Sequence, residues 1–92
     1  MGYFYILRLK SGCLYLGSTT NLIRRYKEHL SGKACRTTQL DPPIALLYHE
    51  QFPTFSDARK REAQVKRWTR AKKDALVAGE LAKLKCLATR RT

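Results

Sequence analysis

Arg25 and His29 lie four residues apart in a segment with helical periodicity, so their side chains stand one above the other. Both border an apolar stripe of Leu22, Tyr26 and Leu30, while Arg24, Lys27 and Glu28 point elsewhere. An arginine offers a planar fork to phosphate oxygens, and a histidine exchanges a proton near neutral pH. Together they fit a phosphate site. A solvated basic face with one satisfied histidine explains the same spacing, and spacing alone favours it.

Two tyrosines form the second group. If the turn between the first two strands is Lys10 to Gly12, Leu9 pairs with Cys13 and Leu7 with Tyr15. Tyr5, Leu7, Tyr15 and Gly17 then share one sheet face, because side chains alternate with period two. A loop of even length would separate the tyrosines. For either tyrosine alone, ordinary aromatic core is the favoured reading.

The third feature is Glu62. Phe55, Ala58, Glu62 and Val65 follow a 3-4-3 spacing along one helix face, and a carboxylate there is costly unless paired or bound to a metal. An arginine ion pair and a Mg²⁺ ion are equally good answers at this level. The other carboxylates, Glu28, Asp41, Glu50, Asp57, Asp74 and Glu80, are scattered, which argues against a two-metal cluster. One ion held largely by Glu62, water and phosphate is the natural arrangement. Walker and Rossmann glycine patterns and a nucleophilic Ser or Cys motif are missing. His49 reads as structural or surface.

These residues need elements to hold them. Tyr3 to Leu9 and Cys13 to Gly17 read as a β-hairpin around Gly12. Asn21 is a good N-cap and Gly32 a good stop for a helix from Leu22 to about Ser31. Lys33 to Pro43 reads as a polar loop whose Lys33, Arg36, Thr37 and Thr38 suit phosphate contacts. Ile44 to Phe52 is a third strand, interrupted by Pro53. Ser56 caps a helix to about Trp68, Thr69 caps another through Ala71 to Ala78, and a short helix covers Glu80 to Leu87 before a basic tail, Ala88 to Thr92. The order is β-β-α-β-α-α. It predicts a single α+β domain over residues 1–92 (core about 3–76), with helices against a small mixed or antiparallel sheet.

Lys and Arg number 19 against 7 Asp and Glu, a net charge of +12 over 92 residues. Self-repulsion of that size calls for a polyanionic partner, nucleic acid before an anionic membrane. No apolar run approaches the roughly 20 residues of a membrane helix. Cys13, Cys35 and Cys86 form no CxxC pair, which argues against zinc. Their odd number, with no leader segment, points to a reducing, cytoplasmic setting.

Tyr3-Phe4-Tyr5, then Leu14-Tyr15-Leu16-Gly17-Ser18, and the spacing onward to Arg25, His29 and Glu62 resemble the GIY-YIG nuclease domain. The likeness is to its stand-alone, single-domain members, relatives of the catalytic module of UvrC, and covers roughly Tyr3 to Leu76. Tyr3 replaces the glycine of the first triplet, and Leu16 replaces a β-branched residue in the second. An asparagine that follows the glutamate in some branches has no counterpart here. The resemblance implies a three-stranded antiparallel sheet flanked by helices, and an endonuclease. Glu62 would hold one Mg²⁺ or Mn²⁺ ion, and this tips Glu62 from an even choice toward a ligand. Tyr15, its pKa lowered, would take a proton from water, with Tyr5 positioning or assisting. Arg25 would stabilise charge on the phosphate. His29 would orient the nucleophile or share the role of base, so Tyr15 and His29 both stay open as the base.

Lys33, Arg36, Arg59, Lys66, Arg67 and Arg70 are the candidate DNA-backbone contacts, which supply affinity without sequence readout. Tyr48 and Trp68 are candidates for stacking on bases, although packing between the last helices suits Trp68 better. With no second recognition domain in the sequence, single-stranded or branched DNA is the expected substrate, in repair, recombination or DNA uptake. The alternatives are a non-catalytic nucleic-acid-binding protein of the same fold and an RNA-binding accessory protein.

Overall fold

The computed structural model describes residues 1–78. The elements are β1 (Gly2–Leu9), β2 (Leu14–Thr19), α1 (Leu22–Leu30), α2 (Arg36–Leu40), β3 (Pro43–Phe52), α3 (Phe55–Lys66) and α4 (Arg70–Ala78). The expected short helix from Glu80 and the basic tail lie outside the described residues. The architecture is α+β, with the main elements in the expected order.

β1 and β2 form the hairpin. Its turn is Lys10 to Gly12, closed by Gly12 N–H to the Leu9 carbonyl at 2.9 Å and Leu9 N–H to the Cys13 carbonyl at 2.9 Å. Gly12 has φ +95°, which a side chain would resist. The odd loop sets the register that places Tyr5 opposite Gly17 and Leu7 opposite Tyr15. β3 pairs with the other edge of β1, so the sheet order is β2-β1-β3 and every pairing is antiparallel.

β1 is central and apolar on both faces, so helices cover both. Tyr5, Leu7 and Leu9 pack against Leu22 and Tyr26 of α1. Phe4, Ile6, Leu16 and Tyr48 pack against Val65 of α3, with Trp68 and with Leu76 and Val77 of α4 around them. Phe4, Ile6, Leu7 and Val65 have no exposed surface; each such side chain contributes about 1.5–3 kcal/mol by burial.

The segment read as a polar loop contains α2. Its sequence, RTTQL, carries one apolar residue, too few to reveal a periodicity. The helix turns Thr38 fully inward, so Thr38 is not a surface phosphate contact. The cap of α3 is Thr54 rather than Ser56: the Thr54 hydroxyl accepts from Asp57 N–H at 3.1 Å, and the helix begins earlier than expected. α3 ends at Lys66, two residues short of Trp68. Thr69 caps α4 as expected, accepting from Lys72 N–H at 3.2 Å. Asn21 caps α1 through Arg24 N–H at 3.0 Å, and Gly32 follows its end with φ +79°.

Candidate active site

His29 is the centre of the candidate site. It projects from the last turn of α1 toward the sheet and is 1% exposed. Its Nε2 lies 2.9 Å from the Tyr5 hydroxyl, and its Nδ1 lies 2.8 Å from Thr38 Oγ1. The rings of Tyr5 and Tyr15 meet it edge-on, with centroids 5.8 and 5.1 Å away. Tyr15 is half-buried, and its hydroxyl lies 3.5 Å from Cys35 Sγ. The two tyrosines therefore do share one face, and the helix carrying His29 packs on that face.

Arg25 lies one turn before His29. Its Nε is 3.2 Å from Glu28 Oε1, close enough for an ion pair, but the alignment is not that of a hydrogen bond and the nitrogen is buried. The ion pair is therefore a weak hold on the guanidinium. Its positive charge acts on Tyr5, Tyr15 and His29.

Glu62 comes from the opposite layer. β2 is an edge strand, and α3 packs across its end. Ser18, on the Phe4 and Leu16 face of the sheet, donates to Glu62 Oε1 at 2.6 Å. Lys66, one turn along α3, sits 2.8 Å from Oε2. The Glu62 side chain is 19% exposed and Lys66 56%. The ion pair left open by the sequence is thus made, by a lysine and not an arginine. The Glu62 charge acts on both Tyr5 and Tyr15.

These surroundings set the protonation states. Burial, with Tyr15 nearby, pushes the Tyr5 hydroxyl far above its usual range. Burial and the Cys35 contact push Tyr15 up to about 12, so among the chain's own groups its pKa is raised where a lowered one was expected. Burial, and then the Arg25 guanidinium, push His29 down, against the pull of Glu28. The ring is therefore neutral near pH 7. For Cys35, burial pushes the thiol up, but its hydrogen-bond contacts with the Thr38 and Tyr15 side chains and with the α2 backbone bring it below its usual value.

Glu62 and Ser18 offer hard oxygen ligands of the kind a magnesium-sized cation takes. The exposed Lys66 head is a plain stand-in for positive charge at that carboxylate. No group of three or more His, Cys, Asp or Glu side chains converges among the described residues. A cation at Glu62 would therefore draw most of its remaining ligands from water and phosphate rather than from the described side chains.

The candidate DNA contacts divide. Arg59 and Lys66 flank Glu62 on α3 at helical spacing, and both are exposed. Lys33 and Arg36 are exposed around α2, whose Cys35 cap contacts Tyr15. Arg67 is the C-cap of α3 and lines a shallow cavity of about 420 Å³ with Lys60, Ala63, Gln64 and Trp68. Arg70 is bound internally, to Asp74 at 3.1 Å and to the Gly12 carbonyl at 2.9 Å, and ties α4 to the hairpin turn. Tyr48 is buried and donates to Glu50 at 2.5 Å, so it offers no stacking face. Trp68 packs on the core beneath Arg61 and Lys72, whose charges lie 5.3 and 4.5 Å from its ring centroid. His49 is exposed. Ser18, Thr38 and Cys35 were missed as members of the site. Strand alternation from Leu16 would have pointed Ser18 toward α3; the other two depend on α2.

The chain belongs to the GIY-YIG catalytic domain family, which matches residues 1–74. It is 43% identical over 75 residues to a UPF0213 protein of Bacillus pumilus, covering 82% of this chain and 76% of that one. It is 41% identical over 78 residues to a UPF0213 protein of Natronomonas pharaonis, covering 85% and 92%. The solution NMR structure of a UPF0213 protein from Bacillus halodurans matches with a TM-score of 0.57 and 38% identity, over 89% of this chain and 88% of that one. The domain implies a nuclease-type function with DNA as substrate, and nucleases of this family are generally dependent on a divalent metal. No helix among the described residues is long and apolar enough to cross a membrane.

Proposed function

We propose that this protein is a metal-dependent DNA endonuclease that hydrolyses phosphodiester bonds in single-stranded or branched DNA, in repair, recombination or DNA uptake. The observation that carries the reading is the meeting of residues far apart in sequence: the Tyr5 hydroxyl lies 2.9 Å from His29 and the Tyr15 ring meets the same imidazole edge-on, with the charges of Arg25 and Glu62 near enough to act on both tyrosines. A purely structural network has no need of so many opposed charges and phenols at one place.

Tyr5, Tyr15, Arg25, His29 and Glu62 are the catalytic residues in this reading. Glu62, with Ser18 beside it, would hold Mg²⁺ or Mn²⁺, which supplies positive charge against the phosphate and the leaving 3′ oxygen. Arg25 faces the phosphate, its guanidinium leaving the distorted pair with Glu28 for two parallel bonds to phosphate oxygens. A tyrosine hydroxyl accepts the proton of the attacking water. Tyr15, the more exposed of the two, meets the water; His29 is too deeply buried to touch it. Neutral His29 instead holds Tyr5 and supports the second phenol. Lys33, Arg36, Arg59 and Lys66 track the DNA backbone around this opening, with Arg67 further out. Arg70 contributes only after leaving Asp74.

Cleavage of end-labelled single-stranded, duplex and branched DNA with Mg²⁺, Mn²⁺ or EDTA, for the native protein and Glu62→Ala, tests this. The expected result is metal-dependent cutting of the single-stranded and branched substrates, lost in the variant while DNA binding is kept. Tight binding without cutting under any metal would move the protein to a non-catalytic binding module and leave Glu62 as the ion-pair partner of Lys66.

A further inference from the structure

Thr38 has no exposed surface, yet it is polar and sits on a five-residue helix with little else to bury. Its hydroxyl touches three groups: His29 Nδ1 at 2.8 Å, the Cys35 carbonyl at 3.4 Å and Cys35 Sγ at 3.4 Å. A neutral imidazole has one N–H and one acceptor nitrogen, and which is which depends on its partners.

Tyr5 decides the matter on the other side of the ring. Its residue is 3% exposed, and its hydroxyl finds His29 Nε2 as hydrogen-bond partner among the described residues. A buried phenol proton without an acceptor is costly. Tyr5 therefore donates to Nε2, and Nδ1 carries the ring hydrogen. That hydrogen needs an acceptor at Thr38 Oγ1, and Thr38 in turn gives its own proton to the Cys35 carbonyl. Every donor in this chain then has an acceptor. In the opposite tautomer Nε2–H points at Tyr5, and the phenol proton is left without a partner.

We propose that Thr38 is a positioning residue that fixes His29 in the Nδ1–H tautomer, so that Tyr5 donates to His29 and its phenol is held in place beside Tyr15. The consequence rests on the nuclease reading. Held in this way, Tyr5 assists Tyr15, the tyrosine that meets the water, and takes no proton from the water itself. The reverse tautomer leaves the Tyr5 hydroxyl without its acceptor and free to turn. α2 thereby acquires a task that its lack of apolar residues otherwise leaves unexplained.

The test reads the tautomer directly. Long-range ¹H–¹⁵N correlation spectra of the ¹⁵N-labelled full chain at neutral pH distinguish protonated from bare ring nitrogens, and His49→Gln assigns the two histidines. The native protein should show Nδ1 protonated and Nε2 bare in His29. Thr38→Val, nearly isosteric, should shift the population toward Nε2–H and lower DNA cleavage by about 10- to 100-fold, as loss of a supporting hydrogen bond commonly does. Thr38→Ser should restore both. Nε2–H in native His29, or an unchanged tautomer in folded Thr38→Val, overturns the proposal. Should Thr38→Val fail to fold, the native and Thr38→Ser tautomers still decide. If the tautomers behave as stated and no variant cuts DNA, the nuclease reading fails while the role of Thr38 on His29 stands.

Discussion

Gly17 lies directly beneath the ring of Tyr5: a Cβ at position 17 would stand 2.5 Å from Tyr5 Cζ. The two are paired residues on adjacent strands, and Tyr5 reaches His29 by crossing the space that the missing side chain leaves. The glycine therefore serves the site, not the turn. Gly17→Ala should cost about 1–3 kcal/mol by overpacking and displace Tyr5 from His29. Urea unfolding and DNA cleavage should fall together. Gly12→Ala, strained by its φ but with no atom within 4 Å of the new Cβ, should lose about 1 kcal/mol and keep cleavage. Equal loss of cleavage in both variants would sink this account.

Acid should weaken the fold through His29. Its folded pKa lies below the free value, chiefly through burial and then Arg25, so the unfolded chain binds the proton more readily. The stability contributed by neutral His29 is full above about pH 6.5 and is lost as pH falls through the lowered folded value. Urea midpoints between pH 8 and pH 5 should decline on the acid side for the native protein. His29→Gln should flatten that slope, and equal slopes in the two proteins would refute the assignment.

Lys66 should compete with a cation at Glu62. It holds Oε2 at 2.8 Å while remaining 56% exposed, so its pairing is weak in water. Lys66→Gln should tighten Mn²⁺ binding measured by calorimetry without DNA. Glu62→Gln should remove that binding. Weaker Mn²⁺ binding by Lys66→Gln would contradict a shared carboxylate.

Arg61 joins three parts of the fold that hold α3 in place. Its Nε bonds Glu50 Oε1 of β3 at 2.9 Å, an NH1 donates to Gln64 at 2.8 Å, and its plane lies over Trp68. Both partners of the ion pair are about three-quarters buried. Arg61→Ala should destabilise the domain by about 1–3 kcal/mol, read as a shift in the urea midpoint. An exposed pair such as Arg70 with Asp74 should matter less, about 0–1 kcal/mol.

Arg25→Lys should keep the fold and the positive charge but lose the fork. Cleavage should fall by at least tenfold, with the binding of single-stranded DNA nearly unchanged, since one phosphate contact among several contributes little to affinity. Full activity in this variant would mean that charge alone suffices at position 25.

Much of the fold was legible in the sequence because its signals are local. Gly12 defined the turn, the odd loop defined the register, and alternation then put Tyr5 and Tyr15 on one face. Asn21 and Gly32 bracketed α1, and helical spacing stacked Arg25 on His29. The misplaced carboxylate at Glu62 was visible as a break in an apolar stripe. What periodicity could not supply were contacts across layers. Thr38 looked like a surface hydroxyl because α2 has too few apolar residues to announce itself, and only packing against α1 turns it inward to His29. Glu62 and Tyr15 belong to opposite faces of the sheet in any local reading. The edge position of β2, together with Ser18 reaching toward α3, brings their charges within range of each other. The sequence by itself determined that Tyr5 and Tyr15 share a sheet face and that Arg25 and His29 stack on one helix, because both follow from local periodicity. Tertiary structure alone decided who their partners are, because partners and burial depend on residues tens of positions away.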